Sequence, residues 1–469
     1  MTSFSFMIRF FFDYLFFTVY RWVFLPFALL ILKSIDFLLP SSGNLAMRSW
    51  KKMHEMLLER KVPVYMNLSS QPILIHAASG EIEYAKPVIR AIKQRYPQAT
   101  IMVTYFSPSA KKLFKDIEGV DLFLPLPWDH RRYVQSFLNF YRPKMILYAR
   151  TDVWPEFSYQ ARQRKIPQLL FASTFAANSS RLRGLGLFLT RWSLHQLNDI
   201  YCVDDADTIQ LKIAQVKTTC LTEGDTRFDQ VFHRLQQNKL SLTSLEYMSN
   251  RTLVLGSTWP PDEDVILKSI SSALQKFPWV IWAPHEVHET HLLDLEQRLA
   301  QQQVTVTRWS QSRLSIPPSI PYGVLLIDQV GVLADLYRLG AVAFVGGSFK
   351  DKVHSVMEPL ACGCFVVTGP KINNNREALL FKNISVENLT AVTVVNNSDE
   401  FTMALNKIHN DLTSNDTKNS NLVNTQPNTN QDKHVIKYDL KKKLQEKVQS
   451  KQGASSKVLA WIERNQNLS

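Results

Sequence analysis

The sequence predicts an α/β protein of two Rossmann-like domains facing a central cleft, preceded by an N-terminal hydrophobic membrane-anchor helix. Three observations predict it. Short β-branched runs alternate with helical stretches, the alternation occurs twice with a polar stretch between the two series, and the chain opens on a Phe-rich segment. The chain has 469 residues, too many for one compact core, and its 45% hydrophobic and 20% charged residues support a sizeable interior.

The opening segment, residues 1–40, is the anchor. Ser3 to Leu32 is rich in Phe, Leu and Val but is interrupted by Arg9, Asp13 and Arg21, so the cleanest apolar run is Trp22 to Leu32. That run is too short to span a bilayer alone. Lys33, Asp36 and Pro40 follow it where a cleaved leader would end in small residues. A Phe-rich helix flanked by Arg and Lys suits a membrane interface. Arg48, Lys51, Lys52, Arg60 and Lys61 continue the basic character, either toward anionic lipid or as a solvated helix face.

The first βα series, within residues 41–240, runs through Ile73–His76, Thr100–Thr104, Met145–Tyr148 and Gln168–Phe171. The second, within 250–405, runs through Thr252–Leu255, Trp279–Ala283, Val324–Ile327, Ala341–Val345 and Cys364–Thr368. Strands alternating with helices make parallel βαβ units, whose ligands bind beyond the strand C-termini. Two such arrays are the outline of a GT-B architecture. Residues 410–432 are Asn, Ser and Thr-rich with few apolar side chains and read as a disordered insertion; 435–469 read as a C-terminal helix packing back on the body.

A net charge of +13 favours anionic partners without choosing among them. The basic residues are scattered and no nucleic-acid motif accompanies them, so a nucleic-acid role is set aside. Four cysteines, Cys202, Cys220, Cys362 and Cys364, are too few for a disulfide framework and lack zinc-site spacing. Neither a Walker loop nor HExxH is present, and the reading calls for no cofactor and no metal.

Candidate chemistry sits at strand ends. After the first strand, Ser79-Gly80-Glu81 opens a helix. Glu81 there is equipped to take a proton from a hydroxyl, or it merely caps the helix with Ser79. Another strand ends in Arg150-Thr151-Asp152, where Asp152 could orient an acceptor and Arg150 bind an anion, or the two could form a surface pair. In the second array Ser257 and Thr258 precede an acidic helix start, and His285 follows a strand; amides and hydroxyls there could meet an anion. The densest block holds Gly346, Gly347 and Ser348, then His354, Glu358 and Asn375. A Gly-Gly-Ser loop can bring amides to a phosphate, and a glutamate one turn past a histidine can bridge ribose hydroxyls.

The order of these motifs, from the anchor to about residue 380, resembles the 3-deoxy-D-manno-octulosonic acid (Kdo) transferase family. The resemblance rests on His76 to Glu81, Thr151-Asp-Val-Trp-Pro155, Gly224-Asp-Thr-Arg-Phe-Asp229, Pro284-His285-Glu286, Val345-Gly-Gly-Ser348 and His354 to Pro359. It implies CMP-Kdo as donor, a lipid A precursor (lipid IV-A) as acceptor, and an inverting, metal-independent transfer in lipopolysaccharide synthesis. Glu81 would be the base and Asp152 a second catalytic carboxylate, with Ser79, Gly80 and Arg150 on the acceptor. Ser257, Thr258, His285, Gly346, Gly347, Ser348, His354, Glu358 and Asn375 would be on the donor, and the protein would lie on the cytoplasmic face of the inner membrane. The chain departs from the family pattern in four places: the Ser79-Gly80 turn is one residue shorter, Asp152 stands for Glu, Ser355 for Asn, and Ser173-Thr174-Phe175 for Asn-x-Arg. The other readings are a different GT-B nucleotide-sugar transferase or epimerase, and a non-catalytic glycolipid-binding homologue.

Overall fold

The computed structural model describes residues 3–38, 70–114, 117–237, 251–312, 323–413 and 438–466, with isolated positions between them. The chain divides into two compact units, residues 1–230 with 451–469, and residues 231–450.

Unit 1 carries the strands β1 (Ile73–His76), β2 (Ile101–Tyr105), β3 (Leu122–Pro125), β4 (Met145–Ala149), β5 (Gln168–Ser173), β6 (Asp199–Cys202) and β7 (Thr219–Thr222). They pair parallel in the order β3-β2-β1-β4-β5-β6-β7. The central strands β1, β2, β4 and β5 are buried at every position, as a sheet covered on both faces requires. Unit 2 carries β8 (Thr252–Thr258), β9 (Trp279–Pro284), β10 (Thr305–Arg308), β11 (Gly323–Leu326), β12 (Gly340–Val345), β13 (Phe365–Thr368), the small hairpin β14 (Ser385–Val386) and β15 (Leu389–Thr390), and β16 (Val392–Val394). Its parallel sheet runs β10-β11-β9-β8-β12-β13-β16. In each sheet the strand order reverses direction beside the unit's first strand, between β1 and β4 and between β8 and β12. Connections leave there in opposite directions and open a crevice at the strand C-termini.

The N-terminal segment forms α1 (Ser3–Val19), a π turn at Tyr20–Phe24, and α2 (Leu25–Leu38). The π turn has a local cause. Pro26 has no N–H to donate to the preceding turn, and the Leu25 N–H reaches back five residues to the Tyr20 carbonyl. The helix runs straight through the charges that interrupt the sequence, and Phe11–Ile31 is long and apolar enough to cross a membrane by length and composition. Asp13 and Arg21 are accommodated by docking. Asp13 is 1% exposed and accepts two hydrogen bonds of 2.6 Å from Arg191, and Arg21 donates to Glu156 at 2.9 Å. Phe17, Tyr20 and Leu25 pack with Trp192, whereas Phe11, Trp22, Val23, Phe27 and Leu30 point outward.

Some sequence expectations are corrected. Arg60 does not face lipid: it is buried, donates to the Leu126 and Phe106 carbonyls, and sits over the Phe106 and Trp128 rings. Arg48, Lys51, Lys52 and Lys61 lie outside the described residues. The proposed insertion begins too early, because residues 410–413 complete the helix Ser398–Thr413, whose Leu405, Ile408 and Leu412 form one buried stripe; 414–432 lie outside the described residues. The C-terminal stretch is two helices. Tyr438–Gln449 belongs to unit 2 and Ala454–Gln466 to unit 1, with a break at Gly453, whose φ of +102° favours glycine. Asp229 holds that break by accepting from the Gly453 and Ser455 amides.

Candidate functional site

In unit 1, β1 and β4 are neighbours with His76 opposite Tyr148, so the turns that follow them leave the sheet side by side. The first turn carries Ser79-Gly80-Glu81 into α3 (Ile82–Arg95). Glu81 does not cap α3 by its side chain; its carboxylate folds back to accept the Ser79 N–H at 2.7 Å. Ser79 Oγ lies 3.0 Å from Ser109 Oγ. A Cβ on Gly80 would meet nothing within 4 Å, so nothing in the protein itself requires glycine there. Beneath the turn, His76 is fully buried. Its Nδ1 lies 3.1 Å from Thr104 Oγ1 and its Nε2 has no partner; burial pushes its pKa down to about 4 and keeps it neutral.

The second turn holds Arg150 at φ +74°, a left-handed conformation that costs a non-glycine residue on the order of 1 kcal/mol. Its guanidinium lies 4.5 Å from the Tyr84 ring centroid, with Arg227 5.4 Å from the same ring. Arg150 and Asp152 are not each other's partners. Asp152 is ion-paired with Arg181, a residue the sequence reading missed. Also missed is Asp129, buried, which accepts the Glu156 and Phe157 amides at the start of α4 (Pro155–Gln163) and the Tyr20 hydroxyl. Burial raises its pKa to about 7. No local pattern announces it, since all three partners are distant in sequence. Ser173 and Phe175, which stand in the family's Asn-x-Arg positions, are used internally: Ser173 Oγ donates to the Tyr201 carbonyl and the Phe175 amide to Asp207.

In unit 2, β8 and β12 lie side by side with Gly256 opposite Val345, which brings Ser257–Trp259 next to the Gly346–Ser348 loop. A Cβ on Gly346 would lie 2.4 Å from the Ser257 carbonyl oxygen, so this glycine serves strand-to-strand approach. The loop amides expected to meet a phosphate are taken: Asp262 accepts the Gly347 and Phe349 N–H groups at 2.7 and 3.1 Å, and the Trp259 N–H at 2.9 Å. Ser348 is buried, with its Oγ 2.9 Å from Thr368 Oγ1 and accepting the Gly369 amide. Thr258 is buried between Glu263, to which its hydroxyl donates, and Trp282, from which it accepts. Asn375 caps the helix Arg376–Lys382 and donates to the His354 carbonyl. Ser257, at φ +53°, is the remaining residue of the pair at the end of β8.

The open chemistry of unit 2 is a stack. His285 stacks on both Trp259, with ring centroids 4.5 Å apart, and His354, 4.4 Å away and nearly parallel. Trp259 Nε1 donates to His354 Nε2 at 3.0 Å. Burial, reinforced by His285 and Lys352, lowers the His354 pKa to about 4, so His354 is a neutral donor and acceptor. Lys350 Nζ lies 3.2 Å over the Trp259 ring, a placement that carries positive charge to the edge of the stack. Glu358 accepts from the Ser355 hydroxyl, and Arg234 stands 4.0 Å away. Trp259, Lys350 and Lys352 were not singled out from sequence, because aromatic and lysine residues beside a helix start carry no distinctive spacing. Among the described residues no three His, Cys, Asp or Glu side chains converge on a common point.

Residues 50–230 match the family described as 3-deoxy-D-manno-octulosonic-acid transferase (kdotransferase). The chain is 29% identical over 322 residues to a 3-deoxy-D-manno-octulosonic acid transferase of Haemophilus influenzae, covering 66% of this chain and 74% of that one. It is 25% identical over 352 residues to the enzyme of the same name from Rickettsia felis, covering 73% and 72%. Among solved structures, UDP-GlcNAc 2-epimerase from Neisseria meningitidis bound to UDP-GlcNAc shares the fold, with a TM-score of 0.50 at 13% identity over 72% of this chain and 90% of that one. Residues 50–230 of this chain of two parallel α/β units thus carry the match to 3-deoxy-D-manno-octulosonic acid transferases, and most of the chain is similar to glycosyltransferases of that name.

Proposed function

We propose that the protein transfers Kdo from CMP-Kdo to a lipid A precursor, lipid IV-A, with inversion and without a divalent metal, at the cytoplasmic face of the inner membrane. The observation that carries this reading is the meeting of the Glu81 turn and the Arg150–Asp152 turn at the point in unit 1 where the strand order reverses. Glu81, held by one amide, takes the proton of the attacking acceptor hydroxyl. Arg181 neutralises Asp152 and fixes it for a hydrogen bond to an acceptor hydroxyl, and Arg150, stacked on Tyr84, offers charge to an acceptor phosphate. In unit 2, His285 and Lys350 serve the departing CMP phosphate; Ser257 is the hydroxyl of its pair left for the donor, and Glu358 takes the ribose hydroxyls. Thr258, Gly346, Gly347, Ser348 and Asn375 support that site through their internal bonds. The outward Phe, Trp and Leu side chains of the N-terminal helix meet the lipid that holds the acceptor.

The test is to incubate the purified full-length protein with CMP-Kdo and lipid IV-A, with and without a chelator. Equal Kdo transfer in both arms supports the reading. Transfer from a UDP-sugar in place of CMP-Kdo overturns the donor assignment, and loss of transfer on chelation overturns the metal-free one.

A further inference from the structure

A cavity of unit 1, about 1150 Å³, is at the opposite end of the sheet from the candidate site. Gln71, Ala99, Lys144 and Pro167 line it, and these residues precede β1, β2, β4 and β5. It therefore opens at the strand N-termini, about one strand length, ~17 Å, from the turns described above. Five cations surround it, Arg95, Arg142, Lys144, Arg164 and Lys165, and no carboxylate appears among its described lining residues. Arg95 is matched by Glu463 at 3.2 Å; the other four have no acidic partner among the described residues.

The central cation is held by neutral groups. Arg164 is half-buried and donates to Asn139 Oδ1 at 2.8 Å, to the Gln160 carbonyl at 3.0 Å and to Gln160 Oε1 at 2.8 Å. Asn139 also fixes Arg142, whose Nε donates to the Asn139 carbonyl at 3.1 Å. Amide oxygens orient these guanidiniums without cancelling their charge, and burial disfavours the charged form of Arg164. Arg142 and Lys165 also adopt left-handed φ values of 45° and 57°, each at a cost of ~1 kcal/mol that a glycine would avoid. Cations near helix C-termini gain ~0.3–1 kcal/mol from the helix dipole, and α4 and the helix Arg131–Tyr141 both end here. One cation per terminus would secure that gain. Four uncompensated ones around a cavity are the arrangement of an anion receptor.

We propose that this cavity is a second ligand site, one that binds the phosphoryl groups of a phosphorylated molecule at the end of unit 1 opposite the candidate transfer site. The same chemistry fits a free phosphate ester or a phospholipid headgroup, and the experiment separates them. Full-length protein is titrated calorimetrically with inorganic pyrophosphate at low salt, and its flotation is measured with vesicles of phosphatidylcholine alone or with about one-fifth phosphatidylglycerol. Both are repeated with the triple variant Arg142→Gln, Lys144→Gln, Lys165→Gln and with a unit 2 variant, Lys350→Gln with Lys352→Gln.

A pyrophosphate-binding event that weakens about ten-fold in the triple variant and persists in the unit 2 variant, which alters only the donor site, is the result expected for a free phosphate ester. Loss of the phosphatidylglycerol-dependent flotation in the triple variant identifies a headgroup site instead. If thermal unfolding shows the triple variant to be unstable, Lys144→Glu alone, at an exposed position, reads the same way with a several-fold weakening. Pyrophosphate and phosphatidylglycerol responses that both survive the triple variant overturn the proposal, as does pyrophosphate binding lost only in the unit 2 variant.

Discussion

The turn after β1 and the loop after β12 each flank the point where their sheet's strand order reverses, yet they are built in opposite ways. In unit 1, Gly80 is exposed with no atom near its missing Cβ, and Glu81 is tied to the protein by a single amide. In unit 2, Gly346 is wedged against Ser257 and Thr258, and three amides converge on the Asp262 carboxylate. A group meant to exchange protons gains from being lightly held, because it must reach a substrate atom. A loop meant to present a fixed surface gains from being overdetermined. The groups of unit 2 left open, His285, His354 and Lys350, are carried on the rim of that locked loop.

The contrast can be broken in four places, from the largest expected effect to the smallest. Glu81→Gln keeps the size of the side chain and removes its basicity; Kdo transfer is expected to fall ~10²–10⁴-fold with unchanged thermal unfolding. Transfer within a few fold of wild type would remove Glu81 from the chemistry. Gly346→Ala drives a methyl into the Ser257 backbone and is expected to destabilise the protein by ~1–3 kcal/mol, read by denaturant unfolding; a neutral result would mean the loop is as pliant as the Gly80 turn.

The third probe is pH. His76 and His354 both hold pKa values near 4 in the folded protein, against 6.5 for the unconstrained side chain. As pH falls from about 6.5 to about 4 the unfolded chain takes up these protons and the folded chain does not, so stability falls on acidification. His76→Asn and His354→Asn should each flatten that slope, His354 less because it is only half-buried. An unaltered slope in both would show that neither imidazole is kept neutral. The smallest effect is expected for Gly80→Ala, within about 0.5 kcal/mol of wild type in stability, since no neighbouring atom is met. Gly80→Ala that is stable but slow in transfer would show that the space above Gly80 is where the acceptor lies.

Much of the fold was legible. Where strands are buried on both faces they appear as continuous apolar runs, and β1, β2, β4, β5, β8, β9, β11, β12 and β13 were all read near their places. The interior strand β6, a short Asp-Ile-Tyr-Cys with little apolar run, and the four sheet edges, β3, β7, β10 and β16, were not. β7 is Thr-Cys-Leu-Thr and mostly exposed, and β10 is Thr-Val-Thr-Arg; an edge strand facing water on one side needs no apolar run and leaves none to find. The N-terminal helix was read as interrupted by its charges, whereas the structure shows Asp13 and Arg21 as the points by which it docks.

The sequence by itself determined the two βα arrays, the apolar N-terminal helix and the positions of the turns where chemistry could sit, because hydrophobic period and Gly or Pro punctuation are local properties of the chain. Tertiary structure alone decided which polar groups in those turns remain available. Asp262 meets Gly347 across 85 residues, Trp259 meets His354 across 95, and Asp13 meets Arg191 across 178. A buried carboxylate, amide or ring nitrogen takes whichever partner the fold brings within about 3 Å, and no periodicity along the chain encodes that choice.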